Sequence, residues 1–172
     1  MTSKKVTGYQ IRTALEEAKL VLATVSDQFT DCLYKFDDEE DKKPPKEVIE
    51  AIRAAEHRVA QLQALQEKYN QTVTVSVDGC SYTLALAIKM RGYASRIEAQ
   101  WKQATRNQSP ERRYYREDPL KRSKEDVYAK RTISKDDAIT EAKKAGRWTN
   151  ALKNAIAQAN LVEIHLELDF DL

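Results

Sequence analysis

The chain has 172 residues, the length of one ordinary domain, so the sequence predicts a single folding unit over 1–172. Its 29 Lys and Arg against 27 Asp and Glu leave a formal charge of +2, which excludes a chain-wide field that would recruit nucleic acid or an anionic membrane. One third of the residues are charged and only four are glycine, a balance that suits long solvated helices better than a loop-rich enzyme.

The amino-terminal "MTSKKVTGYQ" is basic but leads into no apolar run of signal-peptide length, and nowhere do about 18 apolar residues follow one another. The expectation is a cytoplasmic protein with no membrane partner. From Ile11 the apolar positions Leu15, Ala18, Leu22, Val25, Phe29, Cys32 and Phe36 recur at alternating steps of four and three. That rhythm is a coiled-coil seam, and it predicts a first helix over 8–37 with Thr7 as its cap. Cys32 falls in the seam as a small buried hydrophobe, and neither it nor Cys80 has metal-type spacing.

"FDDEEDKKPPK" then interrupts the rhythm. Pro44 and Pro45 stop one helix and start the next, so the segment 37–45 reads as a solvated acidic turn; it lacks the central glycine and spacing of a calcium loop. Val48, Ile52, Ala55, Val59, Leu62, Gln66 and Tyr69 resume the seam over 46–70. Two seams of similar length on a short connection predict an antiparallel helical hairpin.

The period changes to two in "TVTVSVDGCSYTL". Val73, Val75 and Val77 alternate with Thr74 and Ser76 before Asp78-Gly79, which predicts a β-hairpin near 72–82. Thr83 caps a third helix with a seam at Leu86, Met90, Tyr93, Ile97 and Ala104, flanked by Leu84, Ile88 and Trp101 and ended by Asn107 to Pro110. Residues 106–131 form an irregular connection with nine Arg or Lys, five acids and Tyr114, Tyr115 and Tyr128 interspersed, a local charge of +4. Ser134 and Asp137 resemble a capping box, and a fourth helix to about Asn160 follows on Ala138, Ala142, Ala145, Leu152 and Ile156, with Trp148 its bulkiest apolar member.

The chain closes on "LVEIHLELDFDL", a strand over 161–170 whose Val162, Ile164, Leu166, Leu168 and Phe170 face one way. Such a face needs cover, from the hairpin or from a neighbouring chain, and these five residues are the expected oligomer interface. On the opposite face Glu163, His165 and Glu167 stand about 6.6 Å apart in succession, too far to close on one metal ion without help, so no metal is expected. His57 has no nucleophile near it in sequence and reads as exposed.

The fold class is thus mainly α: a bundle of four helices built on a long antiparallel hairpin, with a small antiparallel β element. "KYNQTV" before the "DG" turn, "RYYR...SKEDVYAKRTIS..D" and "AKKAGRWTNALKNAIAQAN" together resemble an uncharacterised bacterial family, some members of which carry the inherited label septicolysin. The resemblance spans roughly 46–160 and implies a helical-hairpin core, with no catalytic residue to carry over. The acidic insert at 37–41 and the extended carboxyl-terminal strand depart from that family's pattern. No secretion signal, membrane-inserting segment or multidomain length supports a pore-forming activity.

No phosphate-binding glycine loop, HExxH helix or GxSxG elbow occurs, so no catalytic residue and no cofactor are assigned. The reading is a non-enzymatic homo-oligomeric assembly or scaffold protein with an undefined protein partner. The alternative is nucleic-acid binding, less favoured because acids are interleaved: Arg112, Arg113, Arg116, Lys121 and Arg122 would meet phosphates while Tyr114 or Tyr115 stacks on a base. An enzyme of unrecognised class is the third reading.

Overall fold

A computed structural model describes residues 2–34, 43–106, 131–168 and 170 of the chain, the side chains of Thr2 and Leu168 excepted. Among them run, in order, β1 (Thr2–Val6), α1 (Gly8–Cys32), α2 (Pro45–Thr72), β2 (Thr74–Val77), β3 (Cys80–Thr83), α3 (Leu84–Ala104), α4 (Lys135–Ala159) and β4 (Ile164–Leu168). The architecture is mainly helical with short antiparallel strands. The chain gathers into two compact units, one of Met1–Lys89 with Leu152–Leu172 and one of Met90–Ala151.

In the first unit α1 and α2 form the expected hairpin. Thr7 caps α1: its hydroxyl accepts the Gln10 amide at 3.2 Å while the Gln10 side chain accepts the Thr7 amide at 2.9 Å. This reciprocal arrangement satisfies two donors that a helix start leaves free. Helix α1 ends at Cys32 with Leu33 as its C-cap, short of the expected 37, and residues 35–37 lie outside the described residues. Pro45 opens α2, where its missing N–H costs nothing. Gly8 lies against Tyr69, whereas Leu15 clusters with Val59 and Leu62, so α1 advances as α2 recedes and the pair is antiparallel. Phe170 packs on the same cluster.

The Asp78-Gly79 turn places both residues at positive φ, 51° and 78°, as a two-residue hairpin requires. Val75 and Val77 are buried and Thr74 and Ser76 exposed, which is the alternation read from the sequence. The Leu84 amide donates to the Val73 carbonyl at 2.7 Å, and the Leu86 amide donates to the Thr83 hydroxyl at 3.3 Å, so the hairpin closes directly into α3.

Two expectations are corrected. The carboxyl-terminal strand is shorter, Ile164–Leu168, and its hydrogen-bonded partner is neither the hairpin nor shown to be another chain: it is β1, in antiparallel register from Thr2 opposite Leu168 to Val6 opposite Ile164. The segment "TSKKV" has lysines at the centre of the strand, and its one strongly apolar residue, Val6, is buried; that is too little pattern to announce a strand. Of the seam expected on α3, Met90 is buried and Ala104 half-buried, but the other three members are not. Leu86, Tyr93 and Ile97 are 49%, 40% and 47% exposed, while Leu84, Ala87, Met90 and Ala94 are buried. The buried stripe thus combines Leu84 and Met90 with two alanines, Ala87 and Ala94, that a reading by bulk passes over.

Candidate anion-binding groove

The second unit contains the carboxyl-terminal part of α3 and the amino-terminal part of α4. Ser134 starts α4 by accepting the Asp137 amide at 3.0 Å and donating its hydroxyl to the Asp137 carboxylate at 2.6 Å. Arg131 donates its guanidinium to the Ala104 carbonyl, placing a cation at the α3 carboxyl terminus, where helix carbonyls lack partners.

Within this unit Glu98 and Lys102 stand one turn apart on α3 with Thr105 just past its end, and Ile139, Ala142, Lys143, Gly146, Arg147 and Asn150 recur along α4 at helical spacing. Together they line an open groove of about 600 Å³. Glu98 is its most enclosed ionisable group, with a side chain 18% exposed. The Lys102 ammonium sits 2.6 Å from its carboxylate, and hydrogen bonds from Lys102 and then Thr149 hold the Glu98 carboxyl below its ordinary pKa, against an opposing effect of burial. Glu98 is therefore an ionised, neutralised wall of the groove.

Lys143 and Arg147 differ. They stand four residues apart on one face of α4, both are exposed, and neither has a carboxylate partner among the described residues. Gly146 lies between them in sequence and keeps the floor low; a Cβ there would come 3.4 Å from Glu98 Oε1. The charge of the unit agrees with this local excess. Residues 90–151 carry 16 Lys and Arg against 9 Asp and Glu, a net of +7, while the remaining residues carry 13 against 18, a net of −5. The modest total of +2 conceals two opposite fields.

Arg112, Arg113, Tyr114, Arg116, Lys121 and Arg122 lie outside the described residues. Of the expected interface residues, Leu166 is buried, Ile164 and Phe170 are half-buried, and Val162 is 45% exposed; the Leu168 side chain is outside the description. Phe170 also lies 4.5 Å below the Arg58 guanidinium. The polar face of β4 meets β1: Lys5 is 3.9 Å from Glu163, and His165 Nδ1 is 3.5 Å from Ser3 Oγ. Among the described residues no three His, Cys, Asp or Glu side chains are gathered for a metal ion. His57 and Cys80 are exposed, and Cys32 is half-buried with its thiol donating to the Phe29 carbonyl at 3.1 Å. Sequence reading missed the groove, whose signal was the i, i+4 pair Lys143 and Arg147 around a glycine.

Fold and groove define a mainly helical protein with a helical-hairpin core and a strongly cationic second unit. No family model matches the chain, and no curated protein matches it. A solved structure does: the crystal structure of a functionally unknown conserved protein from Corynebacterium diphtheriae, with a TM-score of 0.66 and 15% identity over 94% of this chain and 99% of that one. At that identity the likeness shows the fold. Among the described residues no helix is long and apolar enough to cross a membrane.

Proposed function

We propose that the chain is a non-enzymatic helical assembly protein that associates with further copies of itself through the distal half of the α1–α2 hairpin. The observation that carries this reading is the burial along α1. Gly8, Ile11 and Leu15 are buried, but no described residue of α1 beyond Leu15 is, although the seam continues through Ala18, Leu22, Val25, Phe29 and Cys32. These residues are half-buried, and Leu20 and Val21 beside them are 69% and 55% exposed. One neighbouring helix covers part of such a seam, and a second pair completes it, as in four-helix packing. The carboxyl-terminal strand no longer motivates association, because β1 satisfies its hydrogen bonds on one side. The family resemblance over 46–160 accords with a hairpin core and contributes no activity.

Light scattering at micromolar concentration tests the reading. A dimer or larger species is expected, and Val25→Lys with Phe29→Lys should reduce it to a monomer that keeps its helical circular dichroism. A wild-type protein of monomer mass defeats it.

The charge segregation favours a second reading, binding of single-stranded nucleic acid by the 90–151 unit. A field of +7 confined to 62 residues attracts a polyanion that the chain total of +2 would not. Affinity for an oligothymidylate should then fall steeply from low to physiological salt, and replacing Arg112, Arg113 and Arg116 by Glu should weaken it. Salt-independent binding, or none, removes this reading.

A further inference from the structure

We propose that the groove of the 90–151 unit binds a phosphate ester with a flat apolar body, such that one nucleotide of a strand occupies it; this rests on the nucleic-acid reading. Charge comes first. Lys102 is committed to Glu98 at 2.6 Å, which leaves Lys143 and Arg147 as two cations without a carboxylate partner among the described residues. Residues at i and i+4 on a helix lie about 6 Å apart, a span that one phosphate group bridges. Arg147 adds a planar fork that meets phosphate oxygens in pairs, and Lys143 adds a point charge beside it.

The floor supplies the second half of the fit. Ile139 and Ala142 present apolar surface, and Gly146 presents backbone alone. A flat ring laid on Ile139 and Ala142 would turn its phosphate toward Lys143 and Arg147 further along α4, while Glu98, 3.4 Å from a Cβ on Gly146, closes the far end of that surface. Thr105, just past the end of α3, donates its hydroxyl to the Lys102 carbonyl at 2.7 Å and so offers an acceptor, while Asn150 on α4 supplies an amide able to read polar edges. The volume of about 600 Å³ lies in the range of small-molecule pockets. Glu98, paired with the Lys102 ammonium at 2.6 Å, lines the groove from α3 and adds no free charge to it.

The test is titration of the full chain with AMP and with inorganic phosphate, read by backbone amide shifts, beside an oligothymidylate titration. AMP is expected to shift the amides around Lys102, Thr105, Lys143, Gly146 and Arg147, and to bind more tightly than phosphate. Lys143→Glu with Arg147→Glu should raise its dissociation constant by at least about tenfold, as loss of charge-assisted hydrogen bonds does, while Lys153→Glu in the other unit leaves it unchanged. Equal affinity for AMP and phosphate overturns the apolar half of the proposal. AMP binding that the double variant leaves intact overturns the groove. Oligothymidylate binding retained in that variant overturns the groove and spares the polyanion reading, whereas wild-type protein that binds none of the three overturns both.

Discussion

Gly8 and Tyr69 touch so closely that the first helical residue of α1 has no room for a side chain: a Cβ on Gly8 would stand 2.6 Å from Tyr69 Cε1 and 2.5 Å from Asn160 Oδ1. Tyr69 is fully buried, so its ring has no direction in which to yield. Gly8→Ala gains the helix preference of alanine but overpacks the site, and overpacking costs about 1–3 kcal/mol. Denaturant melts should show Gly8→Ala less stable than wild type by about that amount; equal stability would mean that the ring moves freely.

The Tyr69 hydroxyl has one proton and two carbonyl partners, Ala159 at 2.7 Å and Val162 at 2.8 Å. It thereby ties the end of α2 to the turn that precedes β4. Tyr69→Phe leaves both carbonyls without this donor, and a loss of about 1–3 kcal/mol follows for a buried group left unsatisfied. Burial raises the Tyr69 pKa above the ordinary phenol value, partly offset by a backbone hydrogen bond from Gly8. A raised folded pKa means stability that is complete below the unfolded value of about 10 and lost as pH rises through the folded one. Wild type should therefore lose more stability than Tyr69→Phe between about pH 9 and 11. Parallel pH profiles would show that Tyr69 does not carry this effect.

The turn at Asp78-Gly79 separates backbone strain from packing. A Cβ on Gly79 would meet nothing within 4 Å, yet its φ of 78° disfavours any side chain. Gly79→Val should destabilise by about 1–2 kcal/mol through backbone strain alone. Gly79→Asn, which tolerates that conformation better, should recover part of the loss in the same melts. A valine variant as stable as wild type would place the turn's stability elsewhere.

Much of this fold was legible because its elements announce themselves locally. The step pattern from Ile11 to Cys32, the paired prolines before α2, the valine alternation before Asp78-Gly79 and the Ser134 cap each mark an element that is present. What escaped depends on partners distant in sequence. β1 becomes a strand because β4, about 160 residues later, offers it an edge. The buried stripe of α3 includes Ala87 and Ala94, which a count of bulky residues passes over. The groove was invisible for a like reason: its lining comes from Glu98 and Lys102 on α3 and from Lys143 and Arg147 on α4, more than 40 residues apart in sequence.

Glu98 gives the groove a measurable electrostatic signature. Its carboxyl is held below the ordinary range first by the hydrogen bond from Lys102, then by that from Thr149, with burial acting the other way. The glutamate precedes the lysine by four residues, the favourable order for a helical pair. A depressed folded pKa gives stability that is present above the unfolded value of about 4.3 and lost as pH falls through the folded value. Wild type should therefore lose more thermal stability than Glu98→Gln between about pH 5 and 3, with the wild-type advantage near pH 6 about 0.3–0.5 kcal/mol as for exposed helical pairs. Lys102→Met removes the largest cause, so the Glu98 side-chain carboxyl resonance should titrate at higher pH in that variant than in wild type. In Thr149→Val the rise should be smaller, because the lysine hydrogen bond and its charge remain. Should the resonance titrate alike in wild type and Lys102→Met, Lys102 would be free rather than committed to Glu98. Lys102, Lys143 and Arg147 would then all face the groove without a carboxylate partner among the described residues.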